Sequence, residues 1–164
     1  MIYSTTSTYA VMALVALAIR GTGRTMHVRE LADATGISSH FLAKIIRTLV
    51  RAGILDSMKG KKGGIHFARS PAEVSVAEVV KAIEGKQALH GCLFGLRPCN
   101  QQRSCPLYPQ WGAIRNQIID FLESTTILDI ASKASLPCGE DTPERNIPKK
   151  AKNKNPFMKG INFQ

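Results

Sequence analysis

Two short amphipathic segments separated by a tight turn set the strongest limit on how this chain folds. Residues 27–35 place apolar side chains on one face, Gly36 forms the turn, and Ser38 is a suitable N-cap for the next segment. That segment repeats apolar residues at helical spacing: Phe41, Leu42, Ile45, Ile46 and Leu49. Its other side carries polar and basic residues: Ser39, His40, Arg47 and Arg51. The pattern predicts a helix-turn-helix, although alone it is weak evidence.

The next segment strengthens this prediction, because it reads as a small hairpin with a basic loop. Residues 54–58 and 65–68 have the composition of two short strands, and residues 59–64 (Lys-Gly-Lys-Lys-Gly-Gly) connect them. Glycines let such a loop approach a phosphate backbone, and the lysines supply positive charge. An alternative is that the glycines only shape the hairpin and the lysines are only solvated. The helix pair just before the loop favours contact with DNA.

Net charge supports a polyanionic partner. The 164-residue chain has 22 Lys and Arg against 12 Asp and Glu, a formal charge of +10. Residues 133–164 contribute part of this excess, but residues 1–132 still carry 15 basic and 9 acidic side chains. The residues predicted to contact DNA are Ser38, Ser39, His40, Lys44, Arg47, Arg51, Lys59, Lys61, Lys62 and Gly63.

The second half of the chain predicts two further helices and a shorter last one. Ser75 with Glu78 forms a capping box ahead of the fourth helix, which ends at Gly85. From Pro106 a long helix carries an apolar stripe, made of Trp111, Ile114, Ile118, Phe121 and Leu122. This stripe either covers the core or pairs with its counterpart in a second subunit, and we favour pairing.

Three cysteines lie close together between these two helices: Cys92, Cys99 and Cys105, with six and five residues between them. Thiolates are the preferred ligands of zinc, copper(I) and iron-sulfur clusters. Glycine, proline and polar neighbours indicate an accessible loop, which argues against three buried thiols without a metal. An iron-sulfur cluster and a zinc site with His90 as the fourth ligand both fit the spacing. Cys138, further along, is interpreted as a bystander.

Localisation follows from what the sequence lacks. The longest unbroken apolar run, residues 9–19, is too short for a membrane span, which needs about 20 residues. It has no basic segment before it and no small-residue cleavage site after it, so it does not resemble a secretory signal. We expect a cytoplasmic protein. Thiols are kept reduced there, which favours metal-binding or redox-active cysteines over structural disulfides.

The predicted fold class is mainly α with a small β-hairpin wing. Residues 1–70 form a winged helix-turn-helix DNA-binding domain, and residues 71–132 form the cysteine loop and a long dimerisation helix. Residues 133–164 form a basic tail that is predicted to be disordered. No nucleotide-binding glycine loop or paired carboxylates point to an enzyme. A regulator is therefore favoured over an iron-sulfur carrier or electron-transfer protein, because neither of these functions needs a DNA-recognition helix.

Over roughly residues 1–132 the chain resembles the winged-helix transcription regulators of the IscR, NsrR, RirA and CymR family. The matching segments are residues 8–11, 36–38, 41–45, 49–53, Gly60 with Gly63 and Gly64, residues 78–79 and the three cysteines. The resemblance implies a homodimer that binds a palindromic operator, with the third helix in the major groove and the wing near the minor groove. It also implies that Cys92, Cys99 and Cys105 hold an iron-sulfur cluster, while members of the CymR type lack one.

The chain departs from this family at the fourth cluster ligand. In family members of the IscR type a histidine completes the 2Fe-2S cluster, and the matching residue here is Tyr108. In some members of the NsrR type an aspartate completes a 4Fe-4S cluster, and the matching residue here is Thr8. We favour a 4Fe-4S cluster that senses nitric oxide, redox state or iron, with 2Fe-2S as the alternative, and repression while the cluster is bound. A base-reading glutamate of the family is Ala43 here, which implies a different operator. A zinc or thiol-redox regulator without a cluster stays the alternative function.

Overall fold

The computed structural model describes residues 3–21, 23–60, 63–92 and 105–134. Within them the chain forms six α-helices, one antiparallel β-hairpin and two short 3₁₀ turns, at Pro71–Glu73 and Ala88–His90. The helices are α1 (Thr5–Ile19), α2 (Val28–Thr35), α3 (Ser39–Arg51), α4 (Val76–Glu84), α5 (Tyr108–Ser124) and α6 (Ile127–Lys133). The strands are β1 (Leu55–Met58) and β2 (Gly64–Phe67). This architecture confirms the predicted fold class.

Helix α1 is the centre of the core. It is apolar on nearly every side, and it packs against α2, α3, α4 and α6. The Ser4 side chain accepts a hydrogen bond from the Ser7 N–H at 3.3 Å and caps the helix. Residues 4–7 all carry a hydroxyl group and suit an N-cap, and the structure uses Ser4, so the helix begins ahead of the apolar run of residues 9–19.

Helices α2 and α3 form the predicted helix-turn-helix. Gly36 ends α2 in the left-handed conformation at φ +68°, which glycine adopts without strain. The Ser38 side chain then accepts from the Phe41 N–H at 3.4 Å and caps α3. The apolar face of α3 is buried: Leu42, Ile45, Ile46 and Leu49. This burial fixes which face of α3 stays in solvent.

The hairpin is attached to the core by a third stretch of chain. Leu55 pairs with Phe67 and Met58 with Gly64, in antiparallel register. On the other side of β2, Met26 and Ile65 exchange two backbone hydrogen bonds of 3.0 and 2.9 Å. The hairpin is therefore held on one edge by the segment that joins α1 to α2, which limits the directions in which its loop can move.

Backbone pairing also joins the beginnings of α4 and α6. The Val76 N–H donates to the Thr125 carbonyl and the Ile127 N–H to the Val74 carbonyl, both at 2.9 Å. The predicted capping box of α4 is formed only in part. Ser75 accepts from the Glu78 N–H, but the Glu78 carboxylate pairs with Arg69 instead of with the cap backbone.

The predicted domain limits are only partly visible in this structure. Helix α4 packs on α1 and α3, and α6 packs on α1, so the predicted second part contacts the first. The division at residue 70 stays a prediction, and the predicted tail falls outside the described residues after Ala134. None of the described helices combines the length and the apolar character that crossing a membrane requires.

A carboxylate connects the end of α4 to the start of α1. Glu84 Oε1 accepts a hydrogen bond from the Ser4 N–H at 2.6 Å and another from the hydroxyl of Ser7, which is fully buried. Partial burial acts to raise the pKa of Glu84, but the hydrogen bonds from Ser7 and Ser4 outweigh it and hold the pKa below its usual value. The charged form of Glu84 is therefore the form that stabilises the fold.

Replacing Glu84 with glutamine is expected to lower the free energy of unfolding by about 1 kcal/mol at neutral pH, because two charge-assisted hydrogen bonds weaken. The folded pKa is depressed, so this contribution is present above the unfolded pKa and is lost as the pH falls through the folded pKa. Urea unfolding between pH 7 and pH 3 measures it. Glu73→Gln, at an exposed carboxylate, is the control and should show no such convergence with wild type at low pH.

Candidate DNA interface and cysteine site

The outer face of α3 is polar, basic and accessible. Every predicted contact residue on or next to this helix is exposed: Ser38, Ser39, His40, Lys44, Arg47 and Arg51. The helix holds no acidic residue, and Arg51 lies in its last turn. Arg47 Nε donates to the Ala43 carbonyl at 3.3 Å, which holds this side chain along the helix. A helix of this kind suits the negatively charged major groove of DNA.

The wing combines an exposed cation with a sterically demanding turn. Lys59 is exposed, whereas Lys61 and Lys62 lie outside the described residues. Gly63 is buried, and its N–H donates to the Gly60 carbonyl at 2.9 Å. A β-carbon at Gly63 would lie 2.3 Å from the Met58 carbonyl oxygen. Gly63 therefore shapes the hairpin, and its predicted contact with DNA stays a prediction.

Two of the three clustered cysteines lie in the described residues. Cys92 is half-buried and follows the 3₁₀ turn that ends at His90, while Cys105 is exposed and precedes α5. Cys99 lies outside the described residues. No three metal-ligating side chains come together in the part of the chain that the structure describes, a search that does not include Cys99. His90, the candidate fourth ligand of a zinc site, is exposed. Tyr108, at the position of the histidine ligand in other family members, is half-buried.

Two hydrogen bonds bring the segments of Cys92 and Cys105 to the same end of α5. The Tyr108 N–H donates to the Cys105 carbonyl at 3.0 Å, in the turn that starts the helix. One turn later, Trp111 Nε1 donates to the carbonyl of Gly91, the residue before Cys92, at 3.2 Å. The sequence predicts Trp111 as part of a dimerisation stripe and misses this anchoring role, because a single residue's periodicity does not reveal a polar partner twenty positions away.

The remaining residues of the predicted stripe on α5 divide between core and surface. Ile114 and Phe121 are 51% and 65% exposed, whereas Leu122 is 5% exposed and belongs to a buried cluster with Val80 and Leu89. Ile118 is partly buried against the same cluster. Of these residues, Ile114 and Phe121 are the ones available to a second subunit, and the dimerisation role of the stripe stays a prediction.

Comparison with known proteins assigns the chain to a family. Residues 3–133 match a family model described as Rrf2, iron-dependent transcriptional regulator. The chain belongs to the Rrf2 family of transcriptional regulators. This confirms the resemblance stated from the sequence, and it confirms a DNA-binding regulator in place of an enzyme.

Individual relatives agree with the family assignment. The chain is 32% identical over 123 residues to the HTH-type transcriptional regulator NsrR of Shouchella clausii, covering 74% of this chain and 83% of that protein. It is 29% identical over 133 residues to protein rrf2 of Nitratidesulfovibrio vulgaris, covering 81% and 89%.

Two solved structures show the same fold. CymR, the global cysteine regulator of B. subtilis, has a TM-score of 0.70 at 22% identity and covers 80% of this chain and 96% of its own. The IscR of T. potens has a TM-score of 0.65 at 22% identity and covers 85% and 92%. This Rrf2-family chain therefore has the fold of those two proteins, and the role of the exposed face of α3 in DNA recognition stays a prediction.

Replacing Arg47 with alanine is expected to weaken operator binding and to reduce the dependence of log affinity on log salt concentration by about 1, the value for one lost phosphate contact. Fluorescence anisotropy with operator and unrelated duplexes over a salt series measures both quantities. Lys133→Ala on α6, outside the predicted interface, is the matched charge control. An Arg47→Ala variant with unchanged affinity and salt slope would place Arg47 outside the interface.

Proposed function

We propose that this Rrf2-family regulator binds a palindromic operator as a homodimer and that an iron-sulfur cluster held by Cys92, Cys99 and Cys105 controls the binding. The observation that carries the proposal is the position of Cys92 and Cys105 at one end of α5, where the Gly91–Trp111 hydrogen bond joins both segments. A structural change at the cysteines would therefore be transmitted directly to α5, the helix that carries the exposed apolar residues Ile114 and Phe121.

The chemistry of the site fits a cluster. Three thiolates in one short stretch form a soft donor set that iron-sulfur clusters prefer, and three cysteines leave one iron without a protein thiolate. A cluster held by Cys92, Cys99 and Cys105 would supply an iron that is open to nitric oxide or oxygen and that would be lost when iron is scarce.

The chain's own residues connect this site to the DNA-binding helices. The cysteine segment begins just after α4, whose last residue, Glu84, accepts hydrogen bonds from Ser4 and Ser7 at the start of α1. Helix α1 in turn packs against α2 and α3. A shift of the segment after Gly85 therefore acts on α1 as well as on α5. We infer that it changes the spacing of the two recognition helices in the dimer, and with it the affinity for half-sites about one helical turn apart.

Anaerobic purification followed by visible absorption, iron and sulfide analysis and operator binding tests the proposal. We expect a brown wild-type protein with stoichiometric iron and sulfide, and a Cys99→Ala variant that loses both and changes its operator affinity by about tenfold, a typical allosteric coupling. Cys138→Ala is the control and should behave as wild type. A colourless protein that binds the operator without iron would contradict the cluster.

The exposure of Cys105 supports one alternative, a regulator that responds through thiol oxidation without a cluster. This function predicts colourless protein whose operator affinity changes with peroxide and is restored by dithiothreitol. Zinc held by the same cysteines predicts colourless protein with one equivalent of zinc. The same preparation therefore separates the three kinds of site, because metal content and the response to oxidant differ among them.

A further inference from the structure

One arginine outside the predicted contact residues, Arg29, is the second residue of α2 and is exposed. It forms no ion pair within the described part of the chain. The neighbouring carboxylate is engaged elsewhere, since Glu30 Oε2 accepts a hydrogen bond from the His27 N–H at 3.0 Å. The guanidinium of Arg29 is therefore available to an anion that approaches from solvent.

The backbone register places the start of α2 beside the base of the wing. Met26 pairs with Ile65 in antiparallel register, so the chain after Met26 runs alongside Gly64 towards the wing loop. The approach is close, because a β-carbon at Gly64 would lie 2.8 Å from the Met26 carbonyl oxygen. Gly64 also pairs with Met58, the residue before Lys59. Helix α2 therefore begins next to the point at which the wing leaves the hairpin.

A surface cleft joins Arg29 to the start of α3. The cleft has a volume of about 600 Å³, and the residues that line it are Arg29, Ala32, Asp33, Gly36, Ile37, Ser38 and Ser39. Ser38 and Ser39 are among the residues predicted to contact DNA. Arg29 is thus within the first turn of a helix that begins at the wing, and it shares a cleft with the start of the predicted recognition helix.

This position between α3 and the wing corresponds to a particular part of a DNA duplex. The predicted approach has α3 in the major groove and the wing near the minor groove, and a sugar-phosphate strand separates these two grooves. A side chain that lies between the two elements therefore meets this strand, away from the base edges. Arginine suits such a place, because its planar guanidinium can donate two parallel hydrogen bonds to one phosphate.

We propose that Arg29 is a phosphate-binding residue of the DNA interface, with its guanidinium donating to the backbone strand between the groove that receives α3 and the groove beside the wing. The proposal rests on the predicted approach of α3 and the wing to DNA, and it needs neither the cluster nor the dimer. A phosphate contact carries no base preference, so Arg29 adds affinity and fixes the position of α3 along the duplex without changing which bases are read.

The first test measures the salt dependence of binding to a duplex that wild-type protein selects from a random library. Arg29→Ala is expected to weaken binding by about fivefold for each bound subunit, and to reduce the slope of log affinity against log salt concentration by about 1 per subunit. Arg29→Lys, which keeps the charge, should recover the slope and part of the affinity. Circular dichroism and thermal melting confirm that each variant is folded.

Arg24→Ala is the matched control. Arg24 is an exposed arginine on the same connecting segment, but it precedes Met26 and so lies towards the other end of β2, away from the wing loop. Its removal should change affinity by less than about twofold. Equal effects of Arg24→Ala and Arg29→Ala would show a diffuse effect of charge and would overturn the proposal.

The second test locates the phosphate by replacing single phosphates of the selected duplex with uncharged methylphosphonates. At one or two adjacent positions between the two grooves, the replacement is expected to weaken wild type by about fivefold and to leave Arg29→Ala nearly unchanged, because the variant has already lost that contact. A replacement series that weakens both proteins equally at every position would also overturn the proposal.

Asp33 provides a third test, because its carboxylate lines the same cleft one turn after Arg29. A carboxylate near a bound phosphate repels it, so Asp33→Asn is expected to raise affinity by about twofold at low salt and by less at high salt. Glu73→Gln removes an exposed carboxylate outside the cleft and should have no such effect. An Asp33→Asn protein that binds no better than wild type would place the phosphate outside this cleft.

Arg47→Ala separates a failure of this proposal from a failure of the predicted interface. If Arg47→Ala weakens binding and Arg29→Ala does not, α3 contacts DNA and the role of Arg29 is overturned. If neither variant weakens binding, the predicted approach of α3 is wrong and the role of Arg29 is overturned with it. Weaker binding in both variants, with the phosphate located between the grooves, supports the two together.

Discussion

Replacing Phe121 with aspartate is expected to convert the dimer to monomers and to weaken operator binding by about 100-fold, because a monomer occupies one half-site without the gain of binding two together. Phe121 is 65% exposed on α5 and lies two heptads beyond Leu107 and one beyond Ile114, which are exposed as well. This spacing places the three side chains along one line of the helix. An isolated subunit leaves this apolar line in water, and the proposed dimer would cover it with a second copy of α5.

Sedimentation velocity and operator anisotropy measure the two parts of this prediction. Asn116→Asp is the control, since it adds the same charge at an exposed position on the opposite side of α5. The control should remain dimeric with wild-type affinity. Dimeric Phe121→Asp protein would exclude this stripe as the subunit interface, and monomeric protein with full operator affinity would exclude the need for a dimer.

Replacing Gly63 with alanine is expected to disrupt the wing and to destabilise the protein by about 2 to 3 kcal/mol, as in other cases of overpacking. The new β-carbon would lie 2.3 Å from the Met58 carbonyl oxygen and 2.8 Å from that of Gly60. The three nearest atoms to it belong to the backbone, so side-chain rotation does not relieve these contacts. The hairpin must open, which would displace Lys59 after β1 and weaken the predicted contact of the wing with DNA.

Chemical denaturation and operator titration measure both consequences. Gly112→Ala is the matched control, because nothing lies within 4 Å of its added β-carbon and the site is inside α5. There the substitution should stabilise the helix by about 0.5 to 1 kcal/mol, the usual difference between alanine and glycine. A Gly63→Ala protein that is as stable as wild type would mean that the hairpin turn adjusts without cost.

The parts of the fold that the sequence predicts well are those specified by local patterns. Helix α3 has an N-cap at Ser38 and a strict apolar period, and both features act within the segment itself. The hairpin is likewise predicted from its glycine-rich loop. The hydrogen bond of the buried Ser7 hydroxyl is not predicted by a local pattern, because its partner Glu84 lies 77 positions away.

The candidate sites show the same division. Exposure of the basic face of α3 follows from burial of its apolar face, so the residues that this face presents to solvent are predictable from periodicity. On α5 the predicted apolar stripe includes residues that are exposed and residues that are buried. Phe121 and Leu122 are about 100° apart around the helix, and the sequence alone does not indicate which of them faces the core.

The short backbone pairing between residues 74–76 and 125–127 has a consequence for how such a regulator evolves. The pairing brings together the two ends of the stretch that contains α4, the cysteines and α5. This stretch is therefore a long insertion whose two ends are joined next to α1 and α6. An insertion whose ends are fixed in this way can become longer or shorter, or acquire other ligands, while the rest of the domain stays folded. One DNA-binding fold can in this way acquire sensor segments that respond to different chemical signals.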